Sequence, residues 1–175
     1  HLTLAHMAWK SSTRAPVIEG EDVFINNAGF GRPRPSFERK DPPWRVLFSM
    51  DPIGVTARWD AGSLEGRYYF SLAALAPYFS GGLFFEPGVS PEEGLLRFYF
   101  VPARNKVRLA FRLLRGRLGR SLFDSKITKL TTNHLSIETD VPVWPQADGE
   151  PPGAKPARHI EFRVLPEKVK LWVVH

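Results

Sequence analysis

Short runs of β-branched and aromatic residues, separated by proline and glycine, constrain the fold of this chain more than any other sequence feature. Proline lacks the backbone donor that a central strand needs, so the proline-rich stretches 32–43 and 142–156 are predicted to be turns and irregular connections. The strand candidates are residues 22–26, 45–50, 55–60, 67–74, 94–101, 126–131, 134–139, 143–147, 158–165 and 168–174. We therefore predict a mainly β fold, a two-layer antiparallel β-sandwich.

One segment interrupts the β pattern with a helical period. Its apolar residues recur at spacings that place them on one helical face, while the basic residues lie mostly off that face. The apolar residues are Val107, Ala110, Phe111, Leu114 and Leu118. We predict an amphipathic basic helix that begins at about Asn105 and frays near Gly116 and Gly119.

The net charge of +6 is concentrated in the same segment. Residues 103–120 contain no acidic side chain, and their basic ones are Arg104, Lys106, Arg108, Arg112, Arg115, Arg117 and Arg120. Because the rest of the chain is almost balanced, the excess indicates a docking face for something anionic, such as a lipid surface, and not a nucleic-acid-binding protein. A solvated face on an ordinary packing helix is the alternative.

The composition indicates one globular domain. At 175 residues, with 43% hydrophobic residues, the chain is long enough to bury a core but short for two ordinary domains. It has no apolar run of membrane-spanning length, no signal-peptide pattern and no cysteine, so we expect a soluble, cytoplasmic protein. Residues 1–21 are interpreted as an N-terminal extension or a leftover of the expression vector, with a short helix as an alternative near the start, and residues 22–175 as the domain.

The stretch 146–151, Gln-Ala-Asp-Gly-Glu-Pro, is the best candidate for chemistry. Asp148 and Glu150 flank a glycine between a strand candidate and a proline-rich turn, where a tight loop can aim both carboxylates at one point. A plain hairpin turn with a solvated Glu150 is the alternative. The histidines lack catalytic or metal-ligand spacing, and none is assigned a role.

Several blocks resemble, in order, the C-terminal β-domain of the diacylglycerol-kinase and sphingosine-kinase-like family of bacterial lipid kinases. Residues 24–31 resemble the strand and glycine-rich turn that begin that domain. Residues 77–88 resemble the family's Pro-Tyr-Phe-Gly-Gly-Gly and its following proline loop, and residues 91–96 resemble its Pro-Asp-Asp-Gly-Leu-Leu. Residues 146–151 and the closing strand candidates resemble its end.

The resemblance implies half of a two-domain enzyme of phospholipid metabolism. In such an enzyme an N-terminal domain with a Gly-Gly-Asp-Gly-Thr loop binds ATP, and the phosphoryl group passes to a lipid hydroxyl such as that of diacylglycerol. Carried over, Glu150 becomes the base that takes the hydroxyl proton, and Asp148 its neighbour near the phosphates or magnesium.

The resemblance also implies a magnesium ion, held by backbone carbonyls of Ser90 and Leu95 and by the carboxylate of Glu93. Such an oxygen set, completed by water, suits magnesium. Glu93 is longer than the family's Asp, and the alternative is that the acids of this loop are solvated turn residues.

Two departures from the family shape the functional expectation. No phosphate-cradling glycine loop occurs in these residues, and Arg-Pro-Arg-Pro follows Gly31 where the family continues with Asp-Ala and a helical segment. We expect the chain alone to be inactive and to bind ATP only with a nucleotide-binding domain, supplied in cis or in trans. The alternative is a free-standing, non-catalytic module that binds lipid or protein. In either case, the expected anionic-lipid surface, peripheral to the inner membrane face, comprises Arg104, Arg108, Arg112, Arg115 and Arg117.

Overall fold

The computed structural model describes residues 2–10, 18–24, 26–31, 48–79, 83–84, 92–120, 127–148 and 156–169. Its strands are β1 (Leu2–Lys10), β2 (Ile18–Phe24), β3 (Asn27–Gly31), β4 (Ile53–Trp59), β5 (Gly62–Ala74), β6 (Tyr78–Phe79), β7 (Leu83–Phe84), β8 (Leu96–Pro102), β9 (Thr128–Thr132), β10 (His134–Ala147) and β11 (Ala157–Val169). A helix, α1 (Lys106–Arg117), connects β8 to the β9 side of the sheet.

Antiparallel pairing organises these strands. The main sheet runs in the order β2-β1-β11-β10-β3-β5-β8-β9, and β4 pairs with both β10 and β5. Because β3 and β4 each bridge β10 and β5, these four strands close a small ring, in which such pairing leaves no open edge. The predicted class, a mainly β, sandwich-like domain with a basic helix, is confirmed.

The long strand β10 shows the alternation expected of a strand with one face in the core. Leu135, Ile137 and Val143 point into the main apolar cluster, and the even-numbered residues of the strand are more exposed. Its register against β11 shifts between Glu138 and Val143. The two strands predicted at 134–139 and 143–147 are therefore one strand with an irregularity.

Strand β8 is buried on both faces, which explains its nearly continuous apolar sequence. Phe98 and Phe100 belong to the main cluster, where Phe98 packs edge-on against Phe162 with ring centroids 5.2 Å apart. Tyr99 and Val101 belong to a second cluster on the opposite face. α1 covers this second cluster through the buried side chain of Leu109.

Helix α1 begins where the sequence predicts. The side chain of Asn105 caps it by accepting hydrogen bonds from the backbone N–H groups of Val107 and Arg108, at 2.9 and 3.2 Å. Gly119 follows the last turn with a φ of +70°, which suits glycine after a helix end.

Most of the apolar face of α1 is exposed. An apolar face normally packs on the core. Here Val107, Phe111, Leu114 and Leu118 are all exposed, and the helix rests on its other side.

Other sequence expectations need correction. β1 pairs with β11 and with β2, so the short helix given as an alternative near the start is wrong, and residues 2–10 and 18–24 are strands of the main sheet. The strand predicted at 45–50 is wrong for Phe48 and Ser49, which are helical, while residues 45–47 lie outside the described part. The two C-terminal strand candidates join in β11 as far as Val169. Within the described ranges, no helix is long and apolar enough to cross a bilayer.

Gly29 in β3 closely approaches the backbone of β5. A Cβ on Gly29 would lie 2.4 Å from the backbone oxygen of Ser71 in β5. We therefore predict that Gly29→Ala lowers the free energy of unfolding by about 1–3 kcal/mol, because the two strands must move apart. Urea denaturation measures this change. Gly62→Ala is the control, because its Cβ would lie 3.3 Å from the Trp59 side chain and the substitution should have the smaller effect. If both variants were as stable as the wild type, the prediction would be contradicted.

Ionisation of Tyr68 should lower the free energy of unfolding at alkaline pH. Burial raises the pKa of Tyr68 above its ordinary value of 10.0, and a side-chain hydrogen bond with Thr128 offsets part of the rise. Because the folded-state pKa exceeds the unfolded one, the stabilisation is complete below about pH 10 and is lost as pH rises through the folded pKa. Urea denaturation from about pH 8 to 11 should show falling stability, and Tyr68→Phe should flatten that fall. The same pH dependence in both proteins would exclude Tyr68 as its cause.

Candidate functional site

Two sequence blocks of the candidate site meet at the end of β10. Ala147 pairs with Ala28 of β3, so Asp148 emerges beside the turn between β2 and β3. There the Oδ1 atom of Asp148 accepts a hydrogen bond of 2.9 Å from the backbone N–H of Asn26, 122 residues away in sequence. The structure thus joins the glycine-rich turn and the Asp148 loop, which the sequence analysis had singled out separately.

The backbone at Asp148 is unusual. Its φ of 48° lies in the left-handed region, which aspartate tolerates better than most residues because its short side chain can bond locally. The tight turn predicted here is consistent with this conformation. Gly149 and Glu150 lie outside the described residues, so the predicted base has no measured distance to Asp148.

Asn26 is held from a second side. Its backbone oxygen accepts a hydrogen bond of 2.8 Å from the N–H of Leu75, just after β5. Among the residues that the structure describes, its side-chain Oδ1 is buried without a hydrogen-bond partner. A buried, unsatisfied acceptor next to a carboxylate is chemically suited to receive a hydroxyl or amide donor.

The predicted magnesium loop is described only in part, because Ser90 lies outside the described residues. Glu93 and Leu95 are both exposed, and the Glu93 carboxylate forms an ion pair with Arg97 at 3.3 Å. No group of three acidic, histidine or cysteine side chains suited to a metal occurs in the described ranges. One carboxylate shared with a guanidinium does not fit a magnesium site by itself, so the full ligand set stays a prediction.

The structure brings three residues of the predicted anionic-lipid surface together. Arg104, Arg108 and Arg112 line a cavity of about 130 Å³ at the start of α1, whose floor includes Pro102 and Leu109. Arg115 is exposed one turn further along. Arg117 ends the helix, and its side chain lies outside the described part.

A second polar cavity, of about 450 Å³, lies where β4, β5 and β10 meet. Asp140 organises it by accepting a hydrogen bond of 2.8 Å from the Gly54 N–H and by pairing with Arg67 at 3.6 Å. Glu65 and Glu138 add negative charge to its lining. Sequence reasoning missed this cavity, because the β4–β5 hairpin and the distant strand β10 form it together, and the pairing of β4 with β10 brings them side by side.

The histidines of β10 and β11 take part in local contacts. Nε2 of His134 lies 3.0 Å from a carboxylate oxygen of Glu161, which also pairs with Arg163 at 3.2 Å. Nε2 of His159 lies 3.5 Å from Oγ of Ser136. These cross-strand contacts lie among partly exposed side chains and provide no sign of a nucleophile.

The fold and the site together describe a mainly β, sandwich-like domain in which a carboxylate lies beside a glycine-rich turn. A family model, the YegS C-terminal NAD kinase beta sandwich-like domain, matches residues 45–173, which is more than half of the chain. The chain belongs to this family. The resemblance stated from the sequence motifs is thereby confirmed for the C-terminal β-domain.

Solved structures agree on the fold. A diacylglycerol kinase from Bacillus anthracis str. Sterne superposes with a TM-score of 0.60 at 16% identity, covering 94% of this chain and 51% of the other. Yeast NADH kinase in complex with NADH superposes with a TM-score of 0.57 at 11% identity, covering 98% of this chain and 42% of the other. The chain therefore spans about half the length of the proteins it resembles. Comparison with curated proteins finds no match.

The Asp148–Asn26 hydrogen bond predicts a stability difference between two substitutions. Asp148→Ala removes the acceptor and places a less tolerant residue at positive φ, so we expect a loss of about 1–2 kcal/mol in the free energy of unfolding. Asp148→Asn keeps an acceptor and tolerates the backbone, and should remain within about 0.5 kcal/mol of the wild type. Chemical denaturation measures both, with Asp51→Ala as an exposed control. Equal stability of the Ala and Asn variants would show that the bond contributes nothing.

Proposed function

We propose that this chain is the lipid-substrate half of an ATP-dependent lipid kinase, which transfers a phosphoryl group to a lipid hydroxyl such as that of diacylglycerol. The observation that carries the proposal is the meeting of Asp148 with the Asn26 turn, which joins two family-like blocks where β10 ends and β3 begins. Family membership and the similarity to a diacylglycerol kinase fold support it.

The chemistry proposed for this site is removal of the hydroxyl proton and alignment of the attacking oxygen. Phosphoryl transfer requires the attacking oxygen to be aligned with the phosphate, and a carboxylate within hydrogen-bond reach can take the proton from the attacking hydroxyl. In the proposal Glu150 takes that proton. Asp148, two residues earlier, is fixed by the Asn26 N–H and orients the loop, and the Asn26 Oδ1 is an acceptor for a substrate donor.

ATP enters this proposal as a substrate held by a nucleotide-binding half, in the same chain or in a partner. The chain spans about half of the diacylglycerol kinase structure it resembles, which is consistent with a second half. Magnesium would neutralise phosphate charge during the transfer. Ser90, Glu93 and Leu95 are the residues proposed to hold it, although the described part of their loop does not fit the ion unaided.

The proposal predicts that activity depends on both the second half and Glu150. The isolated 175-residue chain should not turn over ATP with diacylglycerol, whereas the assembly with its nucleotide-binding half should. In that assembly Glu150→Gln should lower kcat by roughly 100-fold or more, because it removes the base while keeping the shape. Radiolabel transfer from ATP to diacylglycerol in mixed micelles measures the rate.

Glu65→Gln is the matched control, since it makes the same change on the exposed β5 end of the β4–β5 hairpin and should keep the wild-type rate. Turnover by the isolated chain would show that no second half is needed. Full activity of Glu150→Gln in the assembly would reduce Glu150 to a turn residue. An assembly without activity on lipid hydroxyls would favour the free-standing binding module.

A further inference from the structure

Four large apolar side chains form an exposed ridge along α1. Val107, Phe111, Leu114 and Leu118 are 56, 67, 56 and 70% exposed. At about 100° per residue, the positions four, seven and eleven residues after the first return to within roughly 40° of it. The ridge, defined as these four residues, therefore follows one side of the helix for about 16 Å.

Among the described residues, the contacts that hold α1 on the domain lie on the side of the helix opposite the ridge. The helix is attached through its opposite side, where Leu109 is only 2% exposed and packs in the second apolar cluster. Lys106 adds a second attachment, because its Nζ donates a 2.6 Å hydrogen bond to the Phe48 backbone oxygen and lies 5.7 Å from the Tyr69 ring centroid. Each of the four ridge residues is more than half exposed, which favours a partner outside the domain.

Cations border the ridge. Arg108, Arg112 and Arg115 fall on one flank of it at helical spacing, and Arg104 precedes the helix on the same flank. No acidic residue occurs between positions 103 and 120. An arginine side chain can lay its apolar stem beside the ridge and extend its guanidinium outward, so the complementary partner is apolar in the middle and anionic at the margin.

We propose that α1 is a bilayer-docking helix that lies in the plane of an anionic phospholipid surface. The ridge inserts at the boundary between headgroups and acyl chains, and Arg104, Arg108, Arg112 and Arg115 contact lipid phosphates. A second copy of the chain fits this face poorly, because pairing two ridges would bring two sets of like charges together. The inference goes beyond the proposed kinase function, since docking requires neither ATP nor a second half.

Vesicle sedimentation with the full chain tests the docking. Vesicles containing about one third phosphatidylglycerol should bind it, and pure phosphatidylcholine should bind it far more weakly. The double variant Phe111→Ser/Leu118→Ser should bind at least tenfold more weakly, and each of Arg108→Gln and Arg115→Gln about fivefold. Phe111→Leu keeps the ridge apolar and should retain binding. Arg163→Gln, which removes an exposed charge on β11, is the control.

The position of the contact can be measured because the chain has no cysteine. An environment-sensitive dye on Phe111→Cys should shift to shorter wavelength with phosphatidylglycerol vesicles, and the same dye on Thr131→Cys, at an exposed site in β9, should not. Thermal denaturation of every variant checks that the fold is kept.

Three results would overturn the proposal. Undiminished binding by the Phe111→Ser/Leu118→Ser variant would exclude the ridge. Equal binding to both kinds of vesicle would exclude the role of anionic charge. A dimer in light scattering without vesicles, dissolved by the same double variant, would assign the ridge to a second copy. Loss of kinase activity in the two-domain assembly with intact vesicle binding would contradict the proposed function but not this inference.

Discussion

The pairing of β5 and β10 through two bridging strands is the constraint on which the rest of the structure depends. β3 and β4 each hydrogen-bond to both long strands, so β5 and β10 cannot separate without breaking the ring. Closing such a ring demands close backbone approach, and Gly29 meets that demand because a side chain there would strike the Ser71 carbonyl. The main apolar cluster contains side chains from all four strands of the ring, together with side chains from β1, β2, β8 and β11.

The ring also explains how distant polar residues come together at its two bridges. At the β3 bridge, Asn26 is held by Leu75 after β5 and by Asp148 after β10, so the candidate site has one support from each long strand. At the β4 bridge, Asp140 meets Gly54 and Arg67. Each polar group is therefore positioned by the register of the strands beside it.

Local signals predicted the features that depend on neighbouring residues. The start of α1 was predictable because Asn105 is a capping residue, and the mainly β class followed from the spacing of strand runs and prolines. Features that depend on residues distant in sequence were not predicted. The first strand, β1, was not predicted, because its partners β11 and β2 complete a pattern that its own sequence does not contain. The apolar face of α1 was predicted from its helical period, which identifies such a face but not what lies against it.

Strand β5 connects the candidate site to the exposed helix. One of its faces contributes Tyr69 and Leu72 to the cluster beneath α1, and the strand also pairs with β3 and leads to Leu75, which holds Asn26. A helix docked on a membrane would therefore pack against the same strand that supports the Asn26 turn. Packed cores transmit displacement with little compression. Docking through α1 would therefore hold Asp148 and the Asn26 turn at a defined position relative to the lipid surface, so the docking proposal and the kinase proposal agree. In the proposed kinase function the attacking hydroxyl belongs to a lipid, and a fixed position relative to the lipid surface would help to align it with the phosphate.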